Sequence, residues 1–320
     1  MEGTNPGTTA VVPGYDKWHP VGVLIQKKIH FSFAIAFGLH YLCIKIYGMN
    51  DNGNILSQIP IKNPERWSLS LRISQREMEY LLFAPDDDNA IITGIIALST
   101  ASDNPRKAVE DAIYDNAALL GDFKTVNVLF DNDIYALVPG DAPLQAVFEA
   151  SFPGFDGEML SSSLRGDITL VYGVMDGITS FFNRTYTRCS FHHTIGVLHD
   201  FYHRKAALAN SAKLYAVLLG DRIAVCCFKG GKTMLAAVNT FRHINDAAYY
   251  ILAAWADAGM DPKADEVQIA GDNKERNSLI DTLRQQITFV MAAAFPASIL
   301  KRGSSLQNIS FDLTLAALCE

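Results

Sequence analysis

Cysteine is sparse in this 320-residue sequence, and no two are spaced for joint work. The five stand at positions 43, 189, 226, 227 and 319, with no C-x-x-C pair. That excludes a disulfide framework and zinc-knuckle spacing, and it fits a reducing, cytoplasmic compartment. Positive charge is also short: 27 Lys and Arg face 34 Asp and Glu, for a formal charge of −7. A nucleic-acid partner would favour a basic surface, so none is expected. Charged residues of both signs make up only 19%, and glycine and proline are close to average usage. With 49% apolar residues the chain reads as globular rather than collagen-like, coiled-coil or disordered. Its length suits about two domains. No G-x-S-x-G elbow appears, and nothing in the sequence sets two carboxylates across a pocket.

A long hydrophobic run is missing too. Residues 29–44 lack Asp, Glu, Lys and Arg for 16 positions but carry His30 and His40. A membrane helix needs about 17–20 apolar residues. Cys43-Ile44-Lys45 gives a signal peptidase no small-residue site. A membrane is therefore not an expected partner unless residues 29–44 act as an anchor. Residues 1–20 are rich in Gly, Pro and Thr and read as disordered. A misassigned start, with Met49 the true one, would explain why residues 1–48 look unrelated to the rest of the chain. Residues 1–65 are set apart as an N-terminal extension.

From Trp67 onward the chain has a rhythm. Residues 67–74 alternate apolar and polar, the period of a half-buried strand. Residues 80–84 and 91–98 read as two further strands around the turn cluster Asp86-Asp87-Asp88-Asn89. Ser102-Asp103-Asn104-Pro105 starts a helix with Ala108, Ala112, Ile113, Ala117 and Leu120 on one face, stopped by Gly121. Residues 126–130 form the fourth strand. The order returns at 214–219, 223–228 and 234–238. A helix capped by Asn245 or Asp246 comes next, ending at Gly259, then a strand at 267–270. First and fourth strands are 57 residues apart in one copy (Leu69 to Val126) and 53 in the other (Leu214 to Val267). A repeat at so similar an interval predicts two copies of one unit. In each, a helix crosses over to lay the fourth strand parallel to the first. Between the copies, a strand at 168–174, a helix capped by Asp176, a strand at 189–193 and a helix at 194–209 complete the first half. That last helix uses Ile195, Leu198, Tyr202 and Leu208. Residues 285–294 and 311–318 are expected to complete the second half.

A strand–strand–strand–helix–strand unit repeated in one chain resembles the duplicated ribonuclease H-like, or actin-like ATPase, fold. The stretch 170–176, with 189–193 and 214–228, looks like the corresponding region of pilus-assembly and cell-division members of that superfamily. Residues 67–320 resemble more closely an uncharacterised bacterial family, domain of unknown function 3822. The likeness rests on 69–74, on 123–130 with Tyr135-Ala-Leu-Val-Pro139, and on 238–241 with 246–251. It implies an α/β fold with two mixed five-stranded sheets, each flanked by helices. A cleft would lie between domains at 66–210 and 211–320. It implies no known reaction.

In that superfamily each half has a tight turn between its first and second strands. Glycine there lets backbone N–H groups approach phosphates, and an Asp holds the metal. The first turn here, Ser74-Gln75-Arg76-Glu77-Met78, has neither Gly nor Asp, and Arg76 and Glu77 would crowd a phosphate. The second, Leu219-Gly220-Asp221-Arg222, keeps one of each, which hairpin chemistry also explains. After the fourth strand, Ala270-Gly271-Asp272 retains one Gly of a pair, and Asp272 also suits a helix cap. Gly220, Asp221, Gly271 and Asp272 are thus the candidate nucleotide-cleft residues, with ATP and magnesium the candidate cofactors. The balance predicts a non-catalytic scaffold or ligand-responsive adaptor with a degenerate cleft, its partner a protein or a small ligand in that cleft. The alternative is an ATP-binding kinase or ATPase with an atypical phosphate site.

Cys189, His192, His193, His199 and His203 form the densest set of metal-ligand types. His199 and His203, four apart on a predicted helix, could reach one ion, which makes a metal-binding protein the second alternative. Asp200 stands where a zinc protease carries Glu. Hydrogen-bonded histidines are the ordinary reading, and no metal is expected. Gly230-Gly231-Lys232-Thr233 resembles the end of a P-loop. Cys226 replaces its first Gly and a strand comes after it, so a hairpin turn is expected. Cys226 and Cys227 should point to opposite faces of a strand.

Overall fold

The computed structural model describes residues 61–99, 104–209, 211–271, 273–294 and 309–318, with 296, 299 and 306 between them. The 29–44 run, Met49 and the rest of residues 1–60 lie outside the described residues. No helix among the described residues is long and apolar enough to cross a membrane.

The chain opens with strands β1 (Ser68–Ile73), β2 (Glu77–Ala84) and β3 (Asp87–Ala97), then helix α1 (Pro105–Tyr114) and strand β4 (Thr125–Phe130). Next come β5 (Tyr135–Pro139), α2 (Leu144–Ser151), β6 (Gly157–Leu164) and β7 (Ile168–Met175). Helix α3 (Ile178–Thr185), β8 (Cys189–His193) and α4 (Thr194–Ala206) complete the first half. The second half is β9 (Lys213–Leu219), β10 (Arg222–Lys229), β11 (Lys232–Thr240), α5 (Ile244–Asp257), β12 (Glu266–Ala270), α6 (Asn273–Leu283) and β13 (Phe289–Ala292). Helix α7 (Phe311–Leu318) is the last described element.

Two five-stranded sheets have the same plan, β3-β2-β1-β4-β8 and β11-β10-β9-β12-β13. In each, the first three strands are an antiparallel meander and the fourth runs parallel to the first. The positions that mark the sequence repeat are register partners: Leu69 opposes Val126, and Leu214 opposes Val267. One apolar cluster joins both halves: it holds Leu69, Val128 and Ile195 from the first and Tyr215, Val217 and Phe228 from the second. Another cluster lies on the far face of the second sheet and includes Leu214, Val225, Ile251 and Trp255. Cys226 belongs to the joint cluster and Cys227 to the far one, as strand alternation predicts.

Several expectations are corrected. Residues 168–174 do not join the first sheet. With β5 and β6 they form a separate sheet in the order β5-β7-β6, and β8 is the first sheet's fifth strand. Helix α7 packs on β1, β2 and β4 and on α4, so it serves the first half more than the second. Strand β1 is buried on both faces, because small serines and a paired arginine let α7 cover its polar side. Helix α1 ends at Tyr114, where the Asn116 amide donates to the Ala112 carbonyl, and Leu120 is left exposed. Helix α3 is capped by Gly177 rather than Asp176. Helix α5 is capped by His243, whose backbone N–H donates to Asp246 in a capping box. Leu208, expected in the core, is 92% exposed beyond the end of α4.

Candidate functional site

The site lies at the junction of the halves, at the foot of the first β-hairpin turn and beside the second. Strand β1 carries Ser68, Ser70 and Arg72 at alternate positions, and Arg72 stands opposite Glu79 of β2. Asp131 comes directly after β4, and its N–H donates to the Ile73 carbonyl at 2.9 Å. The parallel ends of β1 and β4 are thereby tied together at the base of the first turn.

Arg72 spends each guanidinium nitrogen on a different carboxylate. Nε donates to Asp312 (2.9 Å), Nη1 to Glu79 (2.8 Å) and Nη2 to Asp131 (2.5 Å). Helix α7 brings Asp312, whose Oδ2 also accepts from the Thr194 hydroxyl at 2.8 Å. The Ser310 N–H donates to the other Glu79 oxygen. From the second half comes Arg222, the residue after the Gly220-Asp221 turn. Its Nη1 donates to Asp131 and its Nη2 to Asp133 (2.5 Å). The second turn is thus fastened to the foot of the first through Arg222.

These charges are far from water: Arg72, Glu79, Asp131 and Asp312 are each at most 4% exposed. Burial opposes the Arg72 charge, but Asp312, Asp131 and Glu79 outweigh it and raise its pKa. Burial likewise favours the neutral carboxyl at Glu79 and Asp131 and lifts both above the usual range, despite Arg72. Asp312 goes the other way. Burial penalises its charge too, but Arg72 and the Thr194 hydroxyl more than compensate and lower its pKa. Beside the cluster His193 caps α4, accepting from the Ile195 N–H on Nδ1 while Nε2 faces the Asn132 carbonyl at 3.2 Å. Burial, aided by Arg222, holds His193 neutral down to about 3.

The structure gives the two candidate glycines a plain backbone duty. Gly220 has φ 64° with open space around it, so it serves the backbone of the hairpin turn. Asp221 is exposed beside it and takes the Phe241 N–H on its carbonyl. Gly271 has φ 122°, and a Cβ there would lie 2.6 Å from Leu218 Cβ, so it permits close passage of the two strand ends. Asp272 lies outside the described residues. In the first turn the Ser74 N–H donates to the Glu77 carbonyl and the Glu77 N–H to the Ser74 hydroxyl, so both are engaged within the turn. Gln75 and Arg76 at its tip are exposed. The side chains that fill the junction are Arg72 and Arg222, which spacing alone does not single out.

His199 and His203 also reach across to the second half, but at another turn. His199 Nε2 lies 2.7 Å from the Thr233 hydroxyl, with Asp200 3.2 Å from Nδ1. His203 Nε2 donates to the Gly231 carbonyl at 2.9 Å. Both Nε2 atoms thus face the Gly230-Gly231 hairpin rather than a shared ion. Among the described residues, no group of three or more His, Cys, Asp or Glu is placed to hold a metal. Further ties join the halves: Tyr135 accepts from the Val238 N–H (2.7 Å), and Tyr202 stacks on Tyr215 at 4.2 Å. One signal of the site was present in the sequence: Arg72 between Leu71 and Ile73, and Asp312 between Phe311 and Leu313, are charges inside apolar runs.

A family model described as protein of unknown function (DUF3822) matches residues 57–290. Among solved structures, a Bacteroides thetaiotaomicron protein with actin-like ATPase fold and unknown function is 19% identical, with a TM-score of 0.63. The alignment covers 74% of this chain and 95% of that one. A type IV pilus biogenesis complex, PilM-PilN, gives 12% identity and a TM-score of 0.46 over 79% of this chain and 98% of that one. No curated protein matches. The Bacteroides likeness establishes the fold: two mixed five-stranded sheets flanked by helices, in the actin-like ATPase arrangement.

Proposed function

The chain belongs to the family described as protein of unknown function (DUF3822), and from that premise we propose that it is a non-catalytic scaffold or adaptor with a degenerate nucleotide cleft. The observation that carries this reading is the pairing of Arg222 with Asp131 and Asp133 across the junction. Phosphoryl transfer on this fold would need a metal and closely positioned phosphates between the turns. The buried carboxylate best placed to meet a metal, Asp131, is already shared by two guanidinium groups. A divalent cation there would face like charge from Arg72 and Arg222. A ligand-driven opening would have to break that pairing, the Tyr135–Val238 bond and the two histidine ties together. This favours a fixed platform for a protein partner or a small ligand over a hinge. The buried thiols Cys226 and Cys227 and the half-buried Cys189 are free, which suits a reducing cytoplasm.

Titration calorimetry with magnesium and ATP tests the reading. The expected result is no saturable heat up to about 1 mM nucleotide, a level that would reveal any Kd below the millimolar range. Saturable micromolar binding of magnesium and ATP would instead support the kinase or ATPase alternative.

A further inference from the structure

The outer edge of a sheet presents backbone N–H and C=O groups that can pair with another chain, and folded proteins protect it. Two edges here carry such protection. On β11 the outward N–H of Val238 is taken by the Tyr135 hydroxyl at 2.7 Å. On β13 Arg284 donates Nε and Nη2 to the Val290 carbonyl at 3.2 and 3.1 Å. Strand β3 differs. Among the described residues it ends the first sheet, and at 11 residues it is the longest strand. From Asn89 to Ser102 the sequence has no Asp, Glu, Lys, Arg or Pro, the residues that commonly blunt an edge. Ile91, Ile92, Ile95 and Ile96 stand there instead, and Ile95 is 53% exposed.

The register of β3 on β2 decides which of its groups face out. The Leu98 N–H donates to the Arg76 carbonyl at 2.8 Å, so even-numbered residues turn their backbone groups toward β2. Ile91, Thr93, Ile95 and Ala97 turn theirs away from it, and the register runs unbroken from Ile91 to Ala97. Set antiparallel against a copy of itself, with Thr93 opposite Thr93, this row is self-complementary. Ile91 then faces the partner's Ile95, and the same pair recurs on the other side of the axis. On the opposite face Ile92 meets the partner's Gly94. The Tyr80 ring lies over Gly94, where a Cβ would be 2.4 Å from its hydroxyl oxygen, so Ile92 would meet a ring rather than a gap. Charge agrees with this register. Asp87 and Asp88, exposed at the start of one β3, come level with the end of the other, where Arg76 is exposed beside Leu98. A two-fold axis repeats that acid–base contact at both ends.

We propose that two copies of this chain join edge to edge through β3, as an antiparallel pair about a two-fold axis at Thr93. Their two five-stranded sheets then continue as one. The proposal does not rest on the reading of the nucleotide cleft, which calorimetry with magnesium and ATP tests separately. One strand pair is small beside the ~1,200 Å² at which stable complexes begin, so the dimer is reversible, with a Kd on the order of 10–100 μM.

Sedimentation velocity of the full chain between about 2 and 300 μM should show a shift from monomer to dimer. Ile95→Lys should weaken association at least about tenfold, because it places an ammonium in each half of the strand pair. Its melting curve should stay native, since Ile95 is exposed. Thr93→Cys should give an oxidised dimer beyond the level of the unchanged chain, because Cα atoms of facing residues in such a pair lie about 5.5 Å apart. Ile91→Cys should not, because the two copies of that position are separated along the strands. Amide exchange at Ile91 and Ile95 should slow as protein concentration rises. A chain that stays monomeric at about 300 μM overturns the proposal, as does a dimer that survives Ile95→Lys. Equal crosslinking at Ile91→Cys and Thr93→Cys would also overturn it. So would slow exchange of both amides at every concentration, which would mean that the chain's own residues cover the edge.

Discussion

Arg72→Met should cost about 3–5 kcal/mol of folding stability, the scale seen when one partner of a buried ion pair is removed. The reason is what the substitution leaves behind. Glu79, Asp131 and Asp312 would keep their burial and lose the guanidinium that each of them shares. Arg222 would still reach Asp131 but not the other two. Arg72→Lys should recover only part of the loss, because one ammonium cannot send three fixed donors to three carboxylates. Adding Glu79→Gln to Arg72→Met should restore some stability, since one buried negative charge is then removed. Urea denaturation at pH 7 reads all three variants. A loss below about 1 kcal/mol for Arg72→Met would mean that the cluster is solvated in solution, as exposed pairs are.

Gly271→Ala should be nearly as damaging, at about 2–5 kcal/mol, and for two separate reasons. Its φ of 122° is strained for any residue with a Cβ. The added methyl would also lie 2.6 Å from Leu218 Cβ and 2.9 Å from the Leu218 carbonyl oxygen, so β9 and β12 would have to part. Gly220→Ala is the control. Its φ is also positive, at 64°, but nothing lies within 4 Å of the new methyl. Only about 1 kcal/mol is expected there. Thermal melts of the two variants side by side check the difference. Equal losses would show that backbone strain alone decides at Gly271. The comparison matters for function because Gly220 and Gly271 are the two glycines that the resemblance proposes for a nucleotide cleft, and each has a structural duty that needs no ligand.

The repeat was legible because the intervals that reveal it are themselves structural. Leu69 and Val126 are neighbours in one sheet, and Leu214 and Val267 in the other. The third sheet was not legible. Strand β6 contains Ser161-Ser-Ser163 and lies at a half-exposed edge, so it lacks the apolar alternation that marks a strand. Strand β1 misled in the opposite way. Its serines suggested a wet face, but serine is small enough to be covered by α7, which arrives from the far end of the chain. At the site, Gly220 and Gly271 could be found because backbone geometry selects glycine locally. Arg222 could not, because its partner Asp131 is 91 residues away and no local pattern records the pairing.

The central claim is that Arg222 ties the second hairpin to the first half and closes the place between the turns. A double-mutant cycle on Arg222→Ala and Asp131→Asn measures that tie directly. The account predicts a coupling free energy of at least about 1.5 kcal/mol, as for desolvated charge pairs. Losses that simply add, to within about 0.5 kcal/mol, would contradict it and reopen the cleft to nucleotide.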